Sequence, residues 1–206
     1  MRRLILASAS PRRRELLAQA GFTFEVHPAN VNEDPLPGED PMSYVVRLAR
    51  DKAQAVFNEF SNVGAPGLDS ETGESANSDP LLLTVLGADT TVTLDGHILA
   101  KPADSTDAAR MLRMLSGRTH RVITGVAVAS AKGTEVAAEV TGVRFVALSD
   151  DEIARYVATG EPMDKAGAYG IQGLAAKWIP RIEGCYFNVV GLPLALVATM
   201  LEAASE

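Results

Sequence analysis

Cysteine is almost missing from this chain: Cys185 is the only one, so no intrachain disulfide can form and a reducing compartment fits. Histidine is scarce as well, and His27, His97 and His120 lack metal-ligand spacing. No apolar run reaches the roughly eighteen residues that a membrane span needs. The start, Met1-Arg2-Arg3 before Leu4-Ile5-Leu6-Ala7, has the charge order of a signal peptide but too short an apolar part. These absences predict a cytoplasmic protein. An excess of positive charge is missing too. With 26 acidic against 19 basic side chains the formal charge is -7, which argues against a general nucleic-acid or anionic-membrane binder. There is no internal repeat, no Walker-type phosphate loop, no dinucleotide fingerprint and no serine-hydrolase elbow.

What is present is an ordinary globular composition, 206 residues with 47% hydrophobic, enough for one substantial core. A single domain over 1–206 is the expectation. Positive charge is concentrated at Arg2, Arg3 and Arg12 to Arg14, which points to a small, highly charged anion. Ser10 suits an N-cap and Pro11 the first helical position, so Arg12, Arg13 and Arg14 fall in the opening turn of a helix over about 11–20. Cations there cost roughly a few tenths of a kcal/mol each against the helix dipole. A docked phosphate reverses that sign, using arginine forks and open backbone N–H groups; the alternative is a solvated basic turn.

Along the chain, Phe22 to His27 alternates like a second strand, and Pro28 to Pro41 is an acidic loop carrying Glu33 and Asp34. Helical periodicity follows over 42–60, with Val45, Leu48, Ala49, Val56 and Phe57 on one stripe. Lys52 lies on that stripe, either snorkelling to its edge or aimed into a cleft. The stretch 61–80, rich in Gly, Ser, Asn, Asp, Glu and Pro, reads as a flexible insertion. Leu81 to Leu86 then forms a buried strand that ends at Gly87-Ala88-Asp89, and Asp95-Gly96 predicts a hairpin that pairs Thr90 with Lys101. In an ideal ladder Asp89 and Lys101 point to opposite faces, so sharing a site requires a bulge near Gly87 or a fray at Pro102; otherwise Asp89 only caps a turn. Asp104 caps a helix to Leu115, 119–129 and 135–147 pair as antiparallel strands, and Ser149 opens a helix that ends near Gly160. Leu192-Pro193 opens a C-terminal helix packed on the sheet. Between them, 160–173 holds four glycines among polar groups and reads as a ligand-binding wall, in which Gln172 offers a donor and an acceptor.

Several of these stretches, taken in order, resemble the Maf family of nucleoside triphosphate pyrophosphatases, long called septum formation proteins. They are Leu6-Ala7-Ser8-Ala9-Ser10-Pro11-Arg12-Arg13, Gly87-Ala88-Asp89-Thr90, Lys101-Pro102, Leu115-Ser116-Gly117, Thr124-Gly125-Val126, the run from Asp164 to Gly173, and Val190-Gly191-Leu192-Pro193-Leu194. The resemblance implies an α/β fold with a strongly curved mixed sheet flanked by helices, two lobes around a central cleft, and a homodimer. It implies hydrolysis to monophosphate and pyrophosphate with Mg2+ or Mn2+, Asp89 being the general base. Ser8, Ser10, Arg12, Arg13, Lys52 and Lys101 match substrate-binding positions, and Glu33 with Asp89 the metal positions. The form of the 164–173 run is similar to the dTTP/UTP branch, whose specificity positions match Arg12, Thr90 and Gln172. Two other readings remain, a nucleotide-sensing regulator of septum formation without turnover and a purine (ITP/XTP) pyrophosphatase.

Overall fold

The computed structural model describes residues 3–62 and 82–205, so all but the first two residues of the expected insertion lie outside the described residues. Two long strands form the spine: β3 (Leu83–Leu94) and β5 (Thr119–Ser130) run antiparallel from Thr84↔Ser130 to Thr93↔Arg121. β6 (Gly133–Arg144) pairs along the whole of β5, and β7 (Arg181–Glu183) pairs with the end of β6. On its other side β3 is shared by two partners. β1 (Arg3–Leu6) lies parallel to 83–86, and β4 (His97–Leu99) returns antiparallel on 92–94 through the Asp95-Gly96 turn. β2 (Glu25–Val26) flanks β1, which completes a seven-stranded mixed sheet. Between β1 and β4, residues 87–91 lack a strand neighbour on that edge among the described residues, and this opening is where an open α/β sheet accommodates a ligand.

Several boundaries differ from expectation. Asp89 is in the middle of a 12-residue strand, not at the end of one. The β3–β4 ladder stops at Val92↔Leu99, so Thr90 pairs with Thr124 on β5 and Lys101 has left the sheet. The strand expected over 22–27 shrinks to Glu25 and Val26, both exposed. The long pair becomes 119–130 and 133–144, whose partners Ser130 and Gly133 close directly around the turn.

Among the described residues, six α-helices cover the sheet. α1 (Pro11–Gln19) and α6 (Leu194–Ala203) bury Leu16, Leu17, Val197 and Leu201 against Leu86, Ala88, Val126 and Val128. On the opposite face α2 (Pro41–Asn62) sets Ala49, Ala53 and Val56 against Val85, Ala127 and Ala129. That helix comes unusually close because Gly87 and Gly125 face it. An added Cβ would overlap the Ala49 carbonyl oxygen at the first and the Val45 carbonyl oxygen at the second. α3 (Ser105–Leu115), N-capped by Asp104, and α4 (Asp150–Val157), with a Ser149–Glu152 capping box, enclose the far end of the spine. α5 (Tyr186–Val190) leads into α6. Among the described residues, no helix is long and apolar enough to cross a membrane.

The core under α3 and α4 is aromatic: His120, Phe145, Tyr169, Tyr156 and Trp178 meet edge to face at 4.8–5.3 Å or, for Phe145 with Trp178, tilted at 6.4 Å. His120 is 1% exposed; its Nε2 meets the Tyr169 hydroxyl at 2.8 Å, and its Nδ1 has no partner among the described residues. Burial pushes the imidazole down from 6.5 to about 4. Between those values the unfolded chain binds a proton that the folded chain refuses, so stability present above pH 6.5 is lost as pH falls toward 4. Denaturant unfolding at pH 7 and pH 4.5 should show His120→Leu losing less than wild type, by an amount on the order of 2 kcal/mol.

Candidate functional site

The opening on β3 leads into a cavity of about 640 Å³. The strand alternation sends Asp89 to the α2 face and Thr90 to the α1 face, and the two halves of the site follow from that split.

On the α2 side, Lys52 lies one helical turn beyond Leu48 and points between strand and loop. Its Nζ donates to Asp89 Oδ1 at 2.7 Å and sits 2.6 Å from Glu33 Oε1. Lys52 is 7% exposed and Asp89 8%, so this ion pair is held largely away from water, while Glu33 reaches in from the half-exposed loop. Burial works against the Glu33 charge, but the Lys52 hydrogen bond and the charges of Lys52, Lys101 and Arg13 hold its carboxyl below the usual range. Tyr44 donates its hydroxyl to the Glu33 carbonyl at 2.9 Å, fixing the loop on α2. Burial, then the charges of Asp89 and Glu33, push that phenol up to about 12. The cleft reading of Lys52 is the one that holds.

On the α1 side Ser10 caps the helix, accepting from the Arg13 N–H, with Pro11 in the first turn. The three arginines then part company. Arg13 folds inward, 9% exposed, donating to the Gly191 carbonyl at 2.8 Å, Thr90 Oγ1 at 3.0 Å and Ser8 Oγ at 3.2 Å. Burial lowers its affinity for the proton and Asp89 partly restores it, but a guanidinium stays charged throughout. Arg12 crosses the cavity to Asp164 Oδ2 at 3.1 Å. Arg14 is exposed and does not line the cavity. Thr90 Oγ1 meets Thr124 Oγ1 at 2.9 Å, and Thr124 donates to the Asn188 carbonyl, so α5 sets the position of Thr90.

Lys101 reaches the same cavity by the fray route: past Leu99 the chain leaves the ladder, and the Ala100 carbonyl accepts from the Gly167 N–H at 3.2 Å. Gln172 is exposed on the opposite wall beside Gly170 and Ile171. Arg14 aside, the ten residues matched to site positions, Ser8, Ser10, Arg12, Arg13, Glu33, Lys52, Asp89, Thr90, Lys101 and Gln172, therefore line one cavity. Sequence reasoning gave no role to Asp164, the partner of Arg12, or to Thr124, although both sit in quoted motifs; it passed over Tyr44 and Asn188, which nothing in local spacing marks. Chemically the cavity joins a cationic end, a buried carboxylate on a lysine, and a polar wall of the size and character of a nucleotide site.

A protein of Koribacter versatilis (strain Ellin345) named dTTP/UTP pyrophosphatase is 52% identical over 201 residues, covering 98% of this chain and 94% of its own. Proteins of the same name from Anaeromyxobacter dehalogenans (strain 2CP-C) and Hahella chejuensis (strain KCTC 2396) are 50% and 47% identical, covering 98% of this chain and 94% and 92% of theirs. The family described as Maf-like protein matches residues 3–204, almost the whole chain, and this protein belongs to it.

Proposed function

We propose that the protein hydrolyses dTTP and UTP to the monophosphate and pyrophosphate. The observation that carries this reading is the convergence of Asp89, the cationic end and Gln172 on one cavity of nucleotide size; the names of the relatives support the choice of substrate. In the reaction, Asp89 accepts a proton from a water whose oxygen bonds to the α-phosphorus, and the bond from the α-phosphorus to the bridging oxygen breaks with its electrons leaving on pyrophosphate. Lys52 orients Asp89 through its hydrogen bond. Arg13, rigid in its three contacts, with Ser8, Ser10, Arg12 and Lys101, takes the phosphate oxygens and stabilises the leaving group's charge. Thr90, beside Arg13, and Gln172 shape the base end, Gln172 answering the donor and acceptor edge of uracil or thymine.

A divalent cation, Mg2+ or Mn2+, fits the donor set. Glu33 and Asp89 both point at Lys52, so two carboxylates converge on one place. A hard cation of this kind takes its remaining oxygens from phosphate and water. Bound there, the ion supplies charge neutralisation on the phosphate oxygens.

Pyrophosphate release from dTTP, UTP, CTP and ITP, assayed side by side, tests the reading: turnover of dTTP and UTP well above ITP is expected, and preference for ITP would overturn it. In the same assay Gln172→Ala should lower discrimination between UTP and ITP by about tenfold, with smaller change in the affinity for tripolyphosphate. An equal loss on every nucleotide would remove Gln172 from base reading.

A further inference from the structure

The turn that carries Gln172 is held from behind by one carboxylate that does not line the cavity. Glu161 Oε1 accepts the Tyr156 hydroxyl at 2.9 Å, and both of its oxygens lie 3.1 Å from the Leu174 N–H. At the other end of the turn the Gly170 N–H donates to the same Tyr156 hydroxyl at 3.4 Å, and the Gly173 N–H closes on the Gly170 carbonyl at 3.1 Å. Gly173 lies so close that an added Cβ would overlap Glu161 Oε1. Residues 170 and 174 are thus fastened to one phenol–carboxylate pair, and Gln172 stands at the middle of the span. Lys165 locks the Glu161 backbone, donating from Nζ to its carbonyl at 2.6 Å. None of these bonds involves Ser8, Arg13 or Lys52.

We propose that Glu161 is the positioning residue for base selection: with Tyr156 it sets the place of Gln172, and so the choice of base, without touching the nucleotide. This rests on the base-reading role given to Gln172 above. Its physical ground is geometric: an exposed side chain on a five-residue turn discriminates only if the turn is fixed, and a displacement of an ångström undoes the paired hydrogen bonds that reading a base edge needs. Oε1 already accepts from both Tyr156 and Leu174, so the single carbonyl oxygen of glutamine can take both bonds, whereas alanine leaves the span slack.

The test is equilibrium binding of UTP, ITP and inorganic tripolyphosphate in EDTA, with kcat and KM for UTP and dTTP measured beside it in metal. For Glu161→Ala the UTP/ITP affinity ratio should fall at least about tenfold and KM for UTP should rise more than kcat falls, while tripolyphosphate affinity stays within about twofold. Glu161→Gln should keep the ratio within about threefold of wild type. Gly173→Ala should imitate Glu161→Ala, yet add little when placed on top of it, because the overlapping partner is then gone. An unchanged affinity ratio in Glu161→Ala overturns the inference, and so does a parallel loss for tripolyphosphate, which marks general loosening of the fold. Absence of turnover in the wild-type protein overturns the hydrolytic reading alone, since the binding ratios still decide the role of Glu161.

Discussion

Asp89→Asn should lose about 10²- to 10⁴-fold in kcat for dTTP and UTP while still binding an α,β-methylene analogue of UTP. The substitution keeps the shape and removes the carboxylate's charge and its capacity to take a proton. Lys52 retains Glu33 at 2.6 Å, so the exchange does not strand a buried cation. Turnover by stopped-flow or coupled pyrophosphate assay, with circular dichroism to verify the fold, decides the matter. Near wild-type turnover would remove Asp89 from the proton transfer, and equal loss of analogue binding would make its role one of affinity.

Gly125→Val should be the most destabilising single change on the sheet. Gly125 is the cross-strand partner of Asp89, and both face α2. A Cβ there overlaps the Val45 carbonyl oxygen, backbone against backbone, so no rotamer change relieves it. The helix must retreat, and Lys52, two turns along, retreats from Asp89 with it. Overpacking of this kind costs about 1–3 kcal/mol or more, a large share of a domain's stability. The expected result in urea unfolding is a midpoint well below wild type together with loss of turnover. Gly142→Ala in β6, whose nearest neighbours would lie at 3.8 Å, should stay within about 0.5 kcal/mol. Similar midpoints for the two variants would refute the close-packing account of α2.

The same glycines explain where the sequence could and could not be read. Local chemistry made the ends of elements legible: Ser10 before Pro11, Asp104 before α3, Ser149 with Glu152, and Asp95-Gly96 between β3 and β4 all act as their residue types suggest. The stripe containing Lys52 was legible for the same reason, since helical spacing is a local property. Gly87 misled, because a glycine inside an apolar run looks like the end of a strand when it is in fact the seat of a helix from elsewhere in the chain. β7 and α5, of three and five residues, are too short to show a period, and buried Asn188 bonds to Val122 and Thr141 across two strands. The ten candidate residues come from motif resemblance more than from spacing, and what the fold adds is that they line one cavity. Pairings such as Arg12 with Asp164, 152 positions apart, and the bracing of the Gln172 turn by Glu161 depend on the fold itself.

The Arg12–Asp164 and Glu33–Lys52–Asp89 pairings give the cavity a sense of valence. Arg12 and Lys52 already have carboxylate partners, so an incoming anion that engages either must exchange places with a carboxylate instead of meeting bare charge. A single phosphate offers little more than the carboxylate it displaces and has small reason to stay. A triphosphate reaches several cations at once, and its exchanges are won together or not at all. In the proposed reaction, shortening that chain by hydrolysis would return Asp164 and Glu33 to competition on equal terms, so the resting ion pairs would also help to clear the site of product.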